Sequence, residues 1–192
     1  MPRKTKAKKK LPTPIPMFSQ GRGLILAGIL LLSIFGIWRI RELRLSFQGN
    51  LPKSVNRESQ IIRIKIDKVK LDLAVEPAII NNGIWPVVEK NASHWANSAN
   101  PGEKGNIVIY GHNRNNVFGP IRWLNLGDKI ELTDKQGQIY EYKISETVTV
   151  KPDEIQYVEP TATETLTLYT CTGWWDSQRY IVIAKPIFPK FD

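Results

Sequence analysis

The chain has 192 residues, with 27 Lys and Arg against 18 Asp and Glu for a net charge of +9, a length that suits one domain with an appendage. Of that charge, residues 1–22 carry +7 and residues 23–58 carry +3, leaving −1 for residues 59–192. The positive excess lies outside the part expected to fold, which excludes a nucleic-acid module, whose basic residues belong on its folded face.

Residues 1–22 form a basic tail, with Arg3, Lys4, Lys6, Lys8, Lys9, Lys10 and Arg22, no acid, and a proline-rich LPTPIP. Such a tail suits the anionic headgroups of a cytoplasmic leaflet. The apolar run GLILAGILLLSIFGIW follows from Gly23 to Trp38, edged by Arg22 and Arg39. It is shorter than the ~20 residues that comfortably span a bilayer as a helix, but snorkelling arginines at both ends and Ile40 beyond make up the deficit. Trp38 takes the place of an interfacial aromatic. A cleaved signal peptide would end in a small-x-small site, and RIRELRLSFQGN after Trp38 offers none. A buried core helix would show a polar face, and this run shows almost none. Residues 23–40 are therefore expected to be an uncleaved signal-anchor crossing the membrane once. Seven basic residues before the run, against Arg39, Arg41 and Arg44 just after it, place the N-terminus in the cytoplasm and the rest outside.

Residues 41–58, rich in Gly, Pro, Asn and Ser from SFQGN onward, read as a linker. From residue 59 to 192 the pattern changes to period two. IIRIKI alternates from Ile62 onward, and NIVIYGH, KIEL, IYEYKI, TVTV, TLTLYT and YIVIAK are further runs rich in β-branched and aromatic residues. PGEKGN, LGDK and DKQGQ supply turn chemistry between them. ASHWANSAN reads as a loop with room for a turn or two of helix. Many short strands over ~130 residues predict an all-β closed barrel or sandwich.

The run TLTLYTC holds the chain's one cysteine, Cys171. Alternation sends Leu166 and Leu168 to one face, the natural core, and Thr167, Tyr169 and Cys171 to the other. The thiol is thus expected on a more polar face at the strand's exit. A lone thiol forms no intramolecular disulfide, which leaves a small buried apolar residue, an intermolecular bridge or a reactive group; the expected placement favours the last. A thiol with a pKa near ~8.5 is mostly protonated at neutral pH and needs a base or a cationic neighbour. The chain has two histidines. His112 ends GNIVIYGH directly after a strand and a glycine, and His94 lies in the loop-like ASHWANSAN. Arg179 opens RYIVIAK; if TLTLYT and YIVIAK are adjacent antiparallel strands, Cys171 and Arg179 share one end of the sheet. The bland alternatives are a solvated or core histidine and an edge-strand arginine.

Taken together these segments resemble the sortases, membrane-anchored cysteine transpeptidases of the bacterial cell surface. TLTLYTC before RYIVIAK is similar to the family's signature strand pair. HWANSANPGEKGNIVIYGHN resembles its histidine region, and VFGPIRWLNLGDKIEL the segment that follows. The similarity runs from about Ile61 to Pro186, and the signal-anchor also fits. It implies a closed eight-stranded β-barrel with short helices, preceded by one N-terminal transmembrane helix. It further implies Cys171 as nucleophile, His112 as its partner and Arg179 as stabiliser of the substrate carbonyl oxygen. By the same resemblance Thr170 lines the substrate cleft and His94 takes an accessory position there. Trp174 and Trp175, in the short connection TGWWDSQ, depart from the family pattern and are assigned to substrate contact. The short connection, LYTC and the lack of a C-terminal membrane segment lean toward the D or E type.

The implied reaction is attack on a Thr–Gly or Thr–Ala bond of an LPxTG-like sorting signal on a surface protein or pilin. An amine acceptor, a peptidoglycan precursor or a pilin lysine, then takes the acyl group. No metal-ligand spacing appears; Asp153 and Glu154 are the residues weighed for a calcium loop, and no cofactor is expected. Two rivals stand beside this reading: a thiol hydrolase of the same architecture, and an inert surface module that binds peptide or glycan through Trp174 and Trp175.

Overall fold

A computed structural model describes residues 19–42, 60–80 and 84–187, with side chains in the first segment from residue 23 to residue 37. Most of the basic tail, most of the linker and the Trp38 side chain lie outside the described residues. The chain divides into two units, Met1–Arg39 and Ile40–Asp192. In the first, the apolar run lies within helix α1, Ser19–Glu42, where Leu24, Leu26, Leu32 and Phe35 are exposed. Ser33 satisfies its hydroxyl on the Ile29 carbonyl one turn back at 2.8 Å. Among the described residues no helix is long and apolar enough to cross a membrane. The expected helix is present; the crossing is not shown.

The second unit is an eight-stranded barrel. Its strands are β1 (Ile61–Ile66), β2 (Leu71–Ala78), β3 (Ala92–Trp95), β4 (Asn106–Tyr110), β5 (Lys129–Asp134), β6 (Ile139–Val150), β7 (Thr165–Thr172) and β8 (Gln178–Pro186). They close in the order β1-β2-β3-β4-β7-β8-β6-β5, which leaves no open edge. Two neighbouring pairs, β2 with β3 and β4 with β7, are parallel. Short 3-10 turns occupy Asp67–Val69, Gly119–Trp123, Ile155–Tyr157 and Trp174–Asp176.

Alternation builds two cores. One draws on every strand and therefore fills the interior: Ile64, Leu71, Ile107, Leu132, Ile144, Leu166 and Val182 are among its members. The second covers the outer face of β4, β7 and β8, and joins Val108, Tyr110, Tyr169, Cys171 and Ile181 to Trp85 and Val158 from the connections. β7 is buried along both faces as a result.

The structure corrects several expectations. ASHW is strand β3 and not a loop or helical turn; all four of its residues are buried, so it shows no alternation. β2, absent from the expected runs, buries Leu71, Val75 and Ala78 at irregular spacing and contains Pro77, which reads as a strand breaker. IYEYKI and TVTV join into the single strand β6, with a register irregularity between Ile144 and Glu146 at their junction. In β1 a register shift against β5 between Ile61 and Arg63 turns Ile61 inward and leaves Ile62 43 % exposed. Cys171 lies opposite to the leucines, as alternation requires, but that face is covered and not polar.

β3 also holds His94, the residue assigned to accessory substrate contact, with no exposure at all. Its Nε2 lies 3.1 Å from the Ala99 carbonyl oxygen and 3.0 Å from Ser98 Oγ. The Ser98 hydroxyl donates to the Trp95 carbonyl at 2.7 Å and accepts from the Val108 amide at 3.1 Å. Because that hydroxyl proton is already engaged, Nε2 is the donor in this network.

Burial holds the His94 imidazole down at about 4, with the Ala99 carbonyl and Glu103 opposing. The unfolded chain takes up this proton near pH ~6.5 and the native state only near 4, so stability is lost as pH falls through that window. At one pH unit per 1.36 kcal/mol, the full loss approaches about 3 kcal/mol. His94→Gln, which cannot titrate, is expected to flatten urea-unfolding stability between pH 6.5 and 4. An unchanged pH slope would refute this. Gly119 gives a second test: a Cβ there would sit 2.7 Å from the Arg114 carbonyl oxygen. Gly119→Ala is expected to cost about 1–3 kcal/mol in the same unfolding assay, because backbone cannot move aside as a side chain can.

Candidate active site

Parallel pairing sets the first half of the site. β4 and β7 run in register from Asn106 opposite Thr165 to Tyr110 opposite Tyr169. Directly opposed residues in a pair project to the same face, and Tyr110 and Tyr169 stack with centroids 5.2 Å apart and planes 13° apart. The ladder continues one step further, where the Gly111 amide donates to the Tyr169 carbonyl at 3.3 Å. Thr170 Oγ1 donates to the Gly111 carbonyl at 2.8 Å. Two residues beyond the stacked tyrosines stand His112, just past the end of β4, and Cys171, still within β7.

Antiparallel pairing sets the second half. In the β7–β8 ladder Cys171 stands directly opposite Arg179, as adjacency of the two strands required. β8 lies between β7 and β6, and Arg179 is 1 % exposed; it is a buried cation and not an edge-strand charge. Its Nη1 donates to the Asp176 and Gln178 carbonyls at 2.9 and 3.0 Å. These bonds hold the guanidinium against the connection that carries Trp174 and Trp175. The same connection has left-handed backbone at two non-glycine positions, Trp175 (φ 55°) and Asp176 (φ 58°), a conformation that costs free energy for a bulky residue such as Trp175. Both tryptophans are exposed, with rings 6.4 Å apart at 68°.

Cys171 and Arg179 thus face each other across β7 and β8, and His112 follows the end of β4, the strand on the other side of β7. Burial pushes the Cys171 thiol up to about 12, Arg179 draws it down and Asp176 pushes it further up. In this state the thiol is protonated at neutral pH and needs a base to become a nucleophile. Of the chain's two histidines, His94 is spent on Ala99 and Ser98, and β3, which carries it, is separated from β7 by β4. His112 follows β4 directly. Thr170 has no exposure, and its hydroxyl braces the exit of β4.

Three features escaped the sequence reading. Asn106, the asparagine of PGEKGN, accepts from Thr167 Oγ1 at 2.7 Å and donates to the Tyr157 and Glu159 carbonyls at 3.0 Å each. It ties β4 to β7 and to the connection before β7. Trp85 packs edge-on against Tyr110 and Tyr169 at 5.1 and 5.4 Å, and Tyr110 Oη donates to the Pro86 carbonyl at 2.6 Å. The matched tyrosines of NIVIY and TLTLY were the available signal. Glu89 pairs with Arg114, two residues along the chain from His112. Among the described residues no three His, Cys, Asp or Glu side chains come together as a metal set; the Glu154 carboxylate accepts from the Lys151 amide at 2.8 Å and closes its own turn.

Comparison with known proteins agrees with this geometry. The family model for the sortase domain matches residues 64–187. The chain is similar to sortase A of Bacillus anthracis, 33 % identical over 144 residues, covering 71 % of this chain and 64 % of that protein. It is also similar to sortase A of Listeria monocytogenes, 39 % identical over 86 residues, covering 43 % and 38 %. The aligned part thus spans less than two thirds of either curated relative. Among solved structures, a sortase D5 transpeptidase of Clostridium perfringens matches with a TM-score of 0.59 and 31 % identity, covering 71 % of this chain and 83 % of that one. A domain match over most of the barrel, and a relative 33 % identical across 71 % of the sequence, show that the chain belongs to the sortase family.

Proposed function

We propose that this chain is a cysteine transpeptidase that cleaves a sorting-signal peptide and joins the acyl part to an amine. The observation that carries the reading is Cys171 directly opposite Arg179 on β7 and β8, with His112 just past the end of β4, the parallel neighbour of β7. His112 takes the proton of the Cys171 thiol, and the thiolate attacks the scissile carbonyl carbon while Arg179 donates to the oxygen as negative charge builds. His112 gives a proton to the leaving amine as the C–N bond breaks, and a thioester remains on Cys171. An incoming amine then attacks the thioester, loses its proton to His112 and releases the thiolate, which takes that proton back to become the resting thiol. The new amide replaces the one broken, so no oxidant or phosphate donor is needed and side chains alone serve the scheme.

Burial favours transfer to an amine over hydrolysis. Cys171 is 4 % exposed within an aromatic cluster, a setting that limits access of bulk water to the thioester. The exposed Trp174 and Trp175 are proposed to contact the peptide on the Arg179 side, with Thr170 and His94 supporting the site from within. The D- or E-type expectation draws support from the sortase D5 match, while the sortases A are as similar in sequence. The apolar run of α1 and the basic residues before it support a signal-anchor with the N-terminus in the cytoplasm. On that reading the barrel works at the outer face of the cell membrane. The substrate class follows the family: an LPxTG-like signal on a surface protein or pilin, with a peptidoglycan precursor or a pilin lysine as acceptor.

Intact-mass spectrometry with LPxTG-, LAxTG- and LPxTA-type peptides, with and without an added amine, tests the reading. The wild-type chain is expected to carry an acyl adduct that the amine discharges into a new amide, and Cys171→Ala to carry none. A folded Cys171→Ala variant that still cleaves peptide would sink the assignment. His112→Ala is expected to lower turnover by orders of magnitude. Arg179→Lys should fall about 100- to 1,000-fold, nearly as far as Arg179→Ala, because a compact ammonium does not reproduce a planar fork. Near-wild-type turnover of the lysine variant would return Arg179 to a purely structural role.

A further inference from the structure

The turn after β4 reaches beyond the three residues just described. The His112 carbonyl accepts from the Arg114 amide at 2.8 Å and the Phe118 amide at 3.0 Å, so the backbone at His112 is fixed from two sides. The Arg114 side chain leaves this turn and grips the connection between β2 and β3: its Nη1 donates to the Glu89 carbonyl at 3.3 Å and to Glu89 Oε2 at 3.0 Å. That connection is itself tied down by the Tyr110–Pro86 hydrogen bond and by Trp85 in the aromatic cluster. An acid on an irregular connection is thereby held beside the exit of β4.

We propose that Glu89 is a positioning residue for His112, a carboxylate locked by Arg114 that favours the imidazolium form during the reaction. The inference rests on the reading of His112 given above. Arg114 holds the Glu89 carboxyl below its ordinary range, and the charge on His112 acts in the same direction. Coupling between two sites is mutual, so the carboxylate must favour protonation of His112. Other charged or titratable groups described at this end of the barrel include Lys90 from the same connection, Tyr110 from β4, Tyr169 and Cys171 from β7, Asp176 from the β7–β8 connection and Arg179 from β8. Lys90, Arg114 and Arg179 oppose the imidazolium. Asp176 acts on Cys171, and Glu89 is an acid that acts with the histidine.

The test uses the full chain in detergent micelles with labelled histidine. Two histidines give two imidazole signals, and His112→Gln identifies which is which. Glu89→Gln, which keeps an acceptor for Arg114, is expected to lower the His112 titration midpoint by about half a pH unit, the size suited to a solvent-exposed pair. Glu89→Asp should recover part of that shift, and ~1 M salt should shrink the difference between wild type and Glu89→Gln. The basic limb of peptide turnover against pH should move down with the titration. An unmoved midpoint in a folded Glu89→Gln chain overturns the proposal. So does a midpoint shift that the basic limb does not follow. Loss of turnover in His112→Ala is measured separately, so failure of the Glu89 role is distinguishable from failure of the His112 assignment.

Discussion

The in-register parallel pairing of β4 with β7 is the constraint on which the site depends. Side chains alternate with period two, so a slip of one residue would send either the His112 or the Cys171 side of the pair into the barrel interior. Parallel strands lack a hairpin to set their register. Here side chains do that work: Asn106 with Thr167 at one end, the Tyr110–Tyr169 stack in the middle, and Thr170 on the Gly111 carbonyl at the other. Arg179 needs no such help, since it follows from an antiparallel ladder closed by a short connection.

Two demands meet at Cys171. A covered thiol keeps water from a thioester, yet cover also disfavours the charged nucleophile. The buried guanidinium across the ladder answers the second demand in part, and its own burial is met by the Asp176 and Gln178 carbonyls. The left-handed residues of that connection are the visible cost of placing those carbonyls there. Strain of this kind persists where the surroundings over-determine it, and here the flanking strands do.

How much of this was legible in the sequence depends on one-sided burial. Strands such as β5 and β8 are flanked by turn chemistry or a motif and were readable as runs. β3 was not, because cover on both sides removes the alternation that marks a strand, and β2 carries Pro77 and irregular spacing. The outer face of β7 misled for a related reason: Thr167 and Tyr169 look polar, and the residue that covers the tyrosine, Trp85, lies some eighty positions away in an unpatterned stretch. His112, Cys171 and Arg179 were found through strand ends and motif spacing. Glu89 and Asn106 act through contacts between connections, where no periodicity points to a partner.

The cover over Cys171 has a chemical consequence for a chain with a single thiol. Oxidants and alkylating agents react with thiolate, and their selectivity follows thiolate fraction and exposure. With the thiol pushed up to about 12, the protonated form dominates at pH 7. No second cysteine exists to rescue a sulfenic acid as a disulfide within the chain. A thiol kept protonated and covered is therefore also one that resists oxidising surroundings.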